Sequence, residues 1–288
     1  MQHAHSMKMI TFGSCLTSIT AEHLKVHLGV EYLYGIHNNR SDAFLMYHAD
    51  KTHTMIQKNE FDWLEPKEEF GDSPNQFLRN QYADTLGQLN VNNKDMPARE
   101  PFETGLLNNQ VDLILLDNFM DMTAKLMIDK SSKENDHRPI FLNPHFYKNS
   151  SEIMEQFEFD DFLTAKQSAE NWFRIIGWLK QQQPFAKIFF ICFPYCTSLK
   201  SPERAGRARD FYIHLTKLTK NSDIHVIPPP TVIPELTAGE DWYHLHDSIY
   251  VALAGYVFFA ASAGLPPIGQ AYDIPDIDVC EATGGLVP

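Results

Sequence analysis

The feature that most constrains this chain is an alternation: short runs of β-branched and aromatic residues are separated by longer stretches with helical periodicity. Runs at Met9 to Phe12, Glu31 to Ile36, Val111 to Leu116, Lys187 to Phe193 and Ile224 to Ile227 read as strands. Between them, Ile19, Leu24 and Leu28 share one helical face up to Gly29, with Thr17 or Ser18 as the N-cap, and Phe162 to Gln182 reads as an amphipathic helix. Residues 202–220 continue the pattern. A last helix runs from about Asp247, its expected N-cap, to Ala263. Strands joined through helices lie parallel, because a parallel pair needs a long crossover. The expectation is an α/β fold: a three-layer α/β/α sandwich around a five-stranded, mostly parallel sheet.

Residues 51–105 and 128–160 do not fit the alternation; polar and aromatic, they are expected to be helical insertions or lids. The rest reads as one domain over 8–266, with residues 267–288 as a C-terminal tail. Residues 1–7, with two histidines and a second Met, read as a cloning remnant or a disordered start rather than a metal site, and they lack the basic segment followed by an apolar one of a signal peptide. The four cysteines, Cys15, Cys192, Cys196 and Cys280, are too few and scattered for a disulfide framework, which points to a reducing, cytoplasmic setting. A net charge of -13 argues against nucleic acid as a partner. No apolar run reaches the roughly 20 residues that span a bilayer, and no residue pattern calls for a metal.

In an open parallel sheet, ligands bind outside the carboxyl ends of the strands. Gly13-Ser14-Cys15, Asn38-Asn39-Arg40-Ser41 and Asp117-Asn118 lie at such ends, and Asp241-Trp242-Tyr243-His244 precedes the last helix. A cysteine at a strand-to-helix turn meets the positive end of the helix dipole, which favours thiolate. Free amides after the turn can hold an oxyanion, and Gly13 permits close backbone approach. The alternative for Cys15 is a small buried hydrophobe. His244 is the candidate base, with Asp241 to orient it; His246 and Asp247 rank lower because Asp247 serves as a cap.

The run from Ile10 to Ser18 resembles the first block of the SGNH (GDSL-like) hydrolase superfamily, with Cys15 in place of the nucleophilic serine. Asp241 to His246, followed by Leu253 to Tyr256, resembles the family's last block, Asp-x-x-His before a terminal helix. A cysteine at this place is similar to the GSCFA-like and WcbI-like capsule-biosynthesis branches. The resemblance implies an SGNH-hydrolase-like, flavodoxin-like fold and a catalytic set of Cys15, His244 and Asp241. The family's second block takes an amide from a glycine, for which Gly35 or the Asn38-Asn39 loop stands; its Gly-x-Asn-Asp block is replaced by Leu116-Asp117-Asn118-Phe119. Ser14, Asn39, Arg40 and Asn118 are therefore the expected oxyanion or substrate-binding residues. Asp117 can equally be an ordinary strand-end acid.

Arg40 offers a fork of donors for a substrate carboxylate or phosphate, or pairs with Asp42. Arg204, Arg207 and Arg209 form either a solvated helix face or a dock for coenzyme A phosphates. The resulting expectation is a cysteine-dependent acyltransferase of polysaccharide or natural-product biosynthesis. It needs no resident cofactor and takes acyl-CoA or another thioester as co-substrate, with a small molecule or glycan as acceptor. The alternatives are an SGNH-type esterase or carbohydrate deacetylase, and a non-catalytic binding protein on the same fold. Oligomeric state is not legible.

Overall fold

The structure is a computed structural model that describes residues 6–37, 40–53, 102–130, 139–141, 155–194, 202–230, 232–238 and 241–267. Five parallel strands form its centre: β1 (Lys8–Gly13), β2 (Glu31–His37), β3 (Leu113–Asp117), β7 (Lys187–Ile191) and β8 (His225–Ile227), in the order β2-β1-β3-β7-β8. The sheet and its crossovers are those the alternation predicts.

Period-two alternation splits the strand side chains between two cores. Ile10, Phe12, Ile114, Leu116, Ile188 and Phe190 face one side, while Met9, Leu113, Leu115, Phe189 and Ile191 face the other. On the first side, α5 (Ala165–Gln182) and α6 (Pro202–Thr219) cover the sheet through Trp172, Ile175, Leu179, Phe211 and Leu215, joined by Phe44 of α2 (Ser41–Phe44) and Phe102 of α3 (Phe102–Asn108). On the second, α1 (Cys15–Leu28) and α7 (Asp247–Ala263) pack with Leu16, Ala21, Leu24, Leu253, Ala254 and Val257. This is the three-layer sandwich.

Local signals differ from the reading in two places. The N-cap of α1 is Ser14 rather than Thr17 or Ser18, its hydroxyl accepting the Leu16 N–H. The N-cap of α7 is His246 rather than Asp247: its Nδ1 accepts the Ser248 N–H, which frees Asp247 to meet His23 on α1 at 2.8 Å. Thr164 opens α5 with a capping box to Gln167, and Gly29 ends α1 in the left-handed conformation that a side chain would disfavour.

The insertion expected over 128–160 is not all helical. β4 (Leu126–Asp129), β5 (Ile140–Phe141) and β6 (Phe157–Phe159) form a small antiparallel sheet, and the short α4 (Phe119–Thr123) links it to β3. Residues 54–101, most of the other expected insertion, lie outside the described residues, as do residues 1–5 and 268–288. Between β8 and α7 the chain makes β9 (Thr237–Ala238) and β10 (Asp241–Leu245), an antiparallel pair. Among the described residues no helix is long and apolar enough to cross a membrane.

Candidate active site

The strand order places the topological switch point between β1 and β3, where successive crossovers leave in opposite directions and a crevice opens at the carboxyl ends. β1 ends there at Gly13 and β3 at Asp117, so Ser14 and Cys15 follow one strand end and Asn118 follows its neighbour.

Asp117 joins the two sides. It is buried, and its Oδ2 accepts the Ser14 N–H at 2.8 Å, the Ser14 hydroxyl at 3.0 Å, the Thr17 N–H at 3.2 Å and the Thr17 hydroxyl at 3.0 Å. Its Oδ1 accepts the Phe119 N–H at 3.0 Å. Burial pushes the Asp117 carboxyl above the ordinary carboxylate range, and these donors pull back against it. Gly13 makes the arrangement possible, since a Cβ there would lie 2.3 Å from Asp117 Oδ2. The close approach that Gly13 permits is therefore that of Asp117.

This network changes the expected oxyanion hole. The Ser14 and Thr17 amides are spent on Asp117, and the Leu16 amide is spent on the Ser14 hydroxyl at 3.2 Å. Ser14, expected to bind substrate, is instead a buried cap with both its donors on Asp117. Gly35 is fixed by packing. It sits inside β2 opposite Thr11, and a Cβ on it would lie 2.1 Å from the Thr11 hydroxyl. Asn39 lies outside the described residues.

Asn118 remains. It is 1% exposed. Its Oδ1 accepts the Phe193 N–H at 3.0 Å, which fixes the amide's orientation, and its Nδ2 is buried with no hydrogen-bond partner among the described residues. A buried donor left unpaired costs about 1–3 kcal/mol.

Cys15 is half-buried at the first position of α1, whereas Cys192 is fully buried, its thiol pushed well up by desolvation. Cys196 and Cys280 lie outside the described residues. His244 is half-buried on β10. In a regular strand, Asp241 and His244, three residues apart, would face opposite sides. The ladder is irregular here: Asp241 pairs with Ala238 and Leu245 with Thr237, so four steps of β10 answer one of β9. Such a bulge re-aims side chains. The backbone of Asp241 is described and its side chain is not. His246 and Asp247 are occupied as cap and partner of His23.

Arg40 and Arg207 are committed to internal partners. Arg40 is 0% exposed and bonds Asp42 at 2.8 and 2.6 Å, the Ala124 and Asp161 carbonyls at 3.2 and 3.1 Å, and Asp160 at 3.3 Å. It is a structural tie between α2, the segment after α4 and the end of β6, not an anion binder. Arg207 holds the carbonyls of Met122, Asp121 and Leu163 at 3.2, 3.1 and 2.8 Å and lies over the Phe162 ring. Arg209 pairs with its neighbour Asp210 at 3.5 Å, and the Arg204 side chain lies outside the description. Among the described residues no group of three or more His, Cys, Asp or Glu could hold a metal ion.

One buried acid had no sequence signal beyond its place four residues after Asp117. Asp121 accepts the Ser41 N–H at 2.8 Å and hydroxyls from Ser41 at 2.6 Å and Ser168 at 2.5 Å, and burial pushes its pKa up to about 6. The folded state thus holds this proton more tightly than the unfolded chain, and folding takes up a proton between about pH 4 and pH 6. The resulting stability is fully present below about pH 4 and is lost as the pH rises through about 6. Relative to Asp121→Asn, the wild type is expected to lose about 3 kcal/mol across that window. Urea unfolding of both proteins at pH 4, 5, 6 and 7 checks it; a constant difference would contradict it.

No protein-family model and no curated protein matches the sequence. Among solved structures, the chain is similar to a carbohydrate acetylesterase from Sinorhizobium meliloti, with 11% identity over 90% of this chain and 100% of that one, at a TM-score of 0.44. It is similar also to a carbohydrate esterase family 2 enzyme with a carbohydrate-binding domain from Corynascus thermopiles (Myceliophthora fergusii), with 9% identity over 92% of this chain and 69% of that one, at a TM-score of 0.45. A third is an alpha/beta hydrolase enzyme from the metagenome of Lake Arreo, Spain, with 9% identity over 90% of this chain and 96% of that one, at a TM-score of 0.45. Likeness at this level does not bear on substrate or residue roles.

Proposed function

We propose that the protein is an ester hydrolase of the SGNH kind that works through Cys15. The observation that carries this reading is the buried, unpartnered Nδ2 of Asn118 at the switch point, across the Asp117 network from Cys15. It supplies the donor that acyl transfer requires where negative charge develops. In this reading the Cys15 thiol passes its proton to His244 while sulfur bonds to the ester carbonyl carbon. The carbonyl electron pair collapses onto oxygen, held by Asn118. The C–O bond then breaks, the alcohol leaves with the proton from His244, and a thioester remains. Water, deprotonated by His244, cleaves it to the acid and restores the thiol.

Chain reach permits the base once the His244 side chain is added to the backbone span. Asp247 meets His23 about 12 Å along α1 from Cys15, and three residues back to His244 span up to about 10 Å. Asp241 is proposed to orient His244. The arginines favour hydrolysis of a neutral ester over transfer from acyl-CoA, because Arg40 and Arg207 are committed to internal oxygens and the chain's net charge is -13. Transfer to an acceptor other than water is the second reading, and the sulfur itself favours it, since thioesters are readily attacked by amines and thiols.

The test is intact-mass analysis after exposure to an aryl acetate, with release of the phenol followed in parallel. One acetyl group on Cys15 and steady turnover, both lost in Cys15→Ala, are expected. An adduct that persists in Cys15→Ala would remove the nucleophile assignment; no adduct and no turnover would leave the non-catalytic binding reading.

A further inference from the structure

Asp117 stands beneath the nucleophile turn, and no step of the proposed reaction uses it. Its Oδ2 gathers the amides of Ser14 and Thr17, the residues that bracket Cys15, at 2.8 and 3.2 Å. All three backbone groups that reach its two oxygens can only donate, so they match a carboxylate. An anion at this point cancels the positive end of α1, which would otherwise favour thiolate. Resting on the Cys15 reading above, we infer that Asp117 is a positioning residue: it locks the Cys15 turn to the Asn118 strand and keeps Cys15 a thiol until a base takes its proton.

The other titratable groups on the elements that meet here are His37, which ends β2 opposite Gly13, His244 and Asp241 on β10, and Glu22, His23, Lys25 and His27 farther along α1, of which His23 bonds Asp247 of α7. Asp121 on α4 turns its oxygens to Ser41 and Ser168, and the first turn of α1 carries no acid. Asp117 is thus the one carboxylate among these whose oxygens are shown on the nucleophile turn.

Asp117→Asn separates charge from shape. Its amide oxygen can take the place of Oδ2 and keep all four bonds there, losing only the Phe119 N–H. Thr17→Val is the structural control: it removes one donor and leaves the charge. The readout is the rate of Cys15 alkylation by iodoacetamide from pH 5 to pH 10, mapped by peptide mass, which needs no esterase activity and so stands apart from the acetylation test. In Asp117→Asn, alkylation at pH 7 is expected to rise about tenfold, with the profile displaced about one unit to lower pH. The profile of Thr17→Val should overlay the wild type. An unmoved Asp117→Asn profile, or an equal displacement in Thr17→Val, overturns the inference. If Asp117→Asn does not fold, the carboxyl carbon of Asp117 in the wild type, followed by NMR, decides: ionised at pH 7 supports the inference, neutral overturns it.

Discussion

Arg40→Ala is expected to lower the unfolding free energy by about 3–5 kcal/mol, the cost of leaving a buried charge without its partner. The guanidinium is 0% exposed and forks onto both oxygens of Asp42, whose side chain is only 15% exposed. Its loss strands that carboxylate and unpairs the carbonyls of Ala124 and Asp161. Asp160 contributes little, since half of it faces solvent. Arg40→Lys should recover only part of the loss, because an ammonium cannot span two carboxylate oxygens as the planar fork does. Urea denaturation of the three proteins measures this. A variant as stable as the wild type but unable to bind an anionic ester would return Arg40 to the substrate-binding role expected of it from sequence.

Asn118→Asp is expected to cut kcat on an aryl ester about 10²- to 10³-fold while KM changes little, the pattern for a lost oxyanion donor. Aspartate keeps the acceptor that braces the Phe193 N–H, removes the donor at Nδ2 and sets a carboxylate oxygen in its place, which repels a developing oxyanion. Asn118→Ala is the less informative change, since it also unpairs that buried N–H, worth about 1–3 kcal/mol of stability. Acyl-enzyme on Cys15 should still form, but slowly. Hydrolysis at the wild-type rate in Asn118→Asp would reduce Asn118 to a brace for the strand end at Phe193.

The sheet was legible because each of its strands is a short, dense apolar run. Leu113 to Leu116, buried on both faces, can pack in few other ways. The positions of Cys15 and Asn118 followed from strand ends alone. Their surroundings did not. That the Ser14 amide and hydroxyl point at Asp117, 103 residues away, depends on β1 and β3 being neighbours in register. Arg40 illustrates the converse: beside Asn38, Asn39 and Asp42 it reads as a loop residue free to meet substrate, and only the fold brings Asp160, Asp161 and the Ala124 carbonyl around it. Caps are a nearer miss. Ser14, Thr17 and Ser18 all suit an N-cap; Ser14 takes it by accepting the Leu16 N–H, while the Thr17 hydroxyl is turned to Asp117. The pairing of Gly13 with Asp117 carried a usable signal, since both end their strands and the close approach excludes a Cβ.

The bond between His23 and Asp247 joins residues 224 apart in sequence, and this separation governs when the molecule becomes whole during synthesis. A nascent chain that has emerged as far as β8 possesses the entire parallel sheet and the Cys15 turn. Yet Leu16, Ala21, Leu24 and the inward side chains of β3 and β7 on that side still await Tyr250, Leu253, Ala254 and Val257. Loop-closure entropy makes so non-local a docking slow. For that interval the growing polypeptide presents an apolar flank to water or to a chaperone. The docking of α7 is therefore the step on which solubility depends, and truncations within it should yield aggregates rather than a soluble, weakened fold.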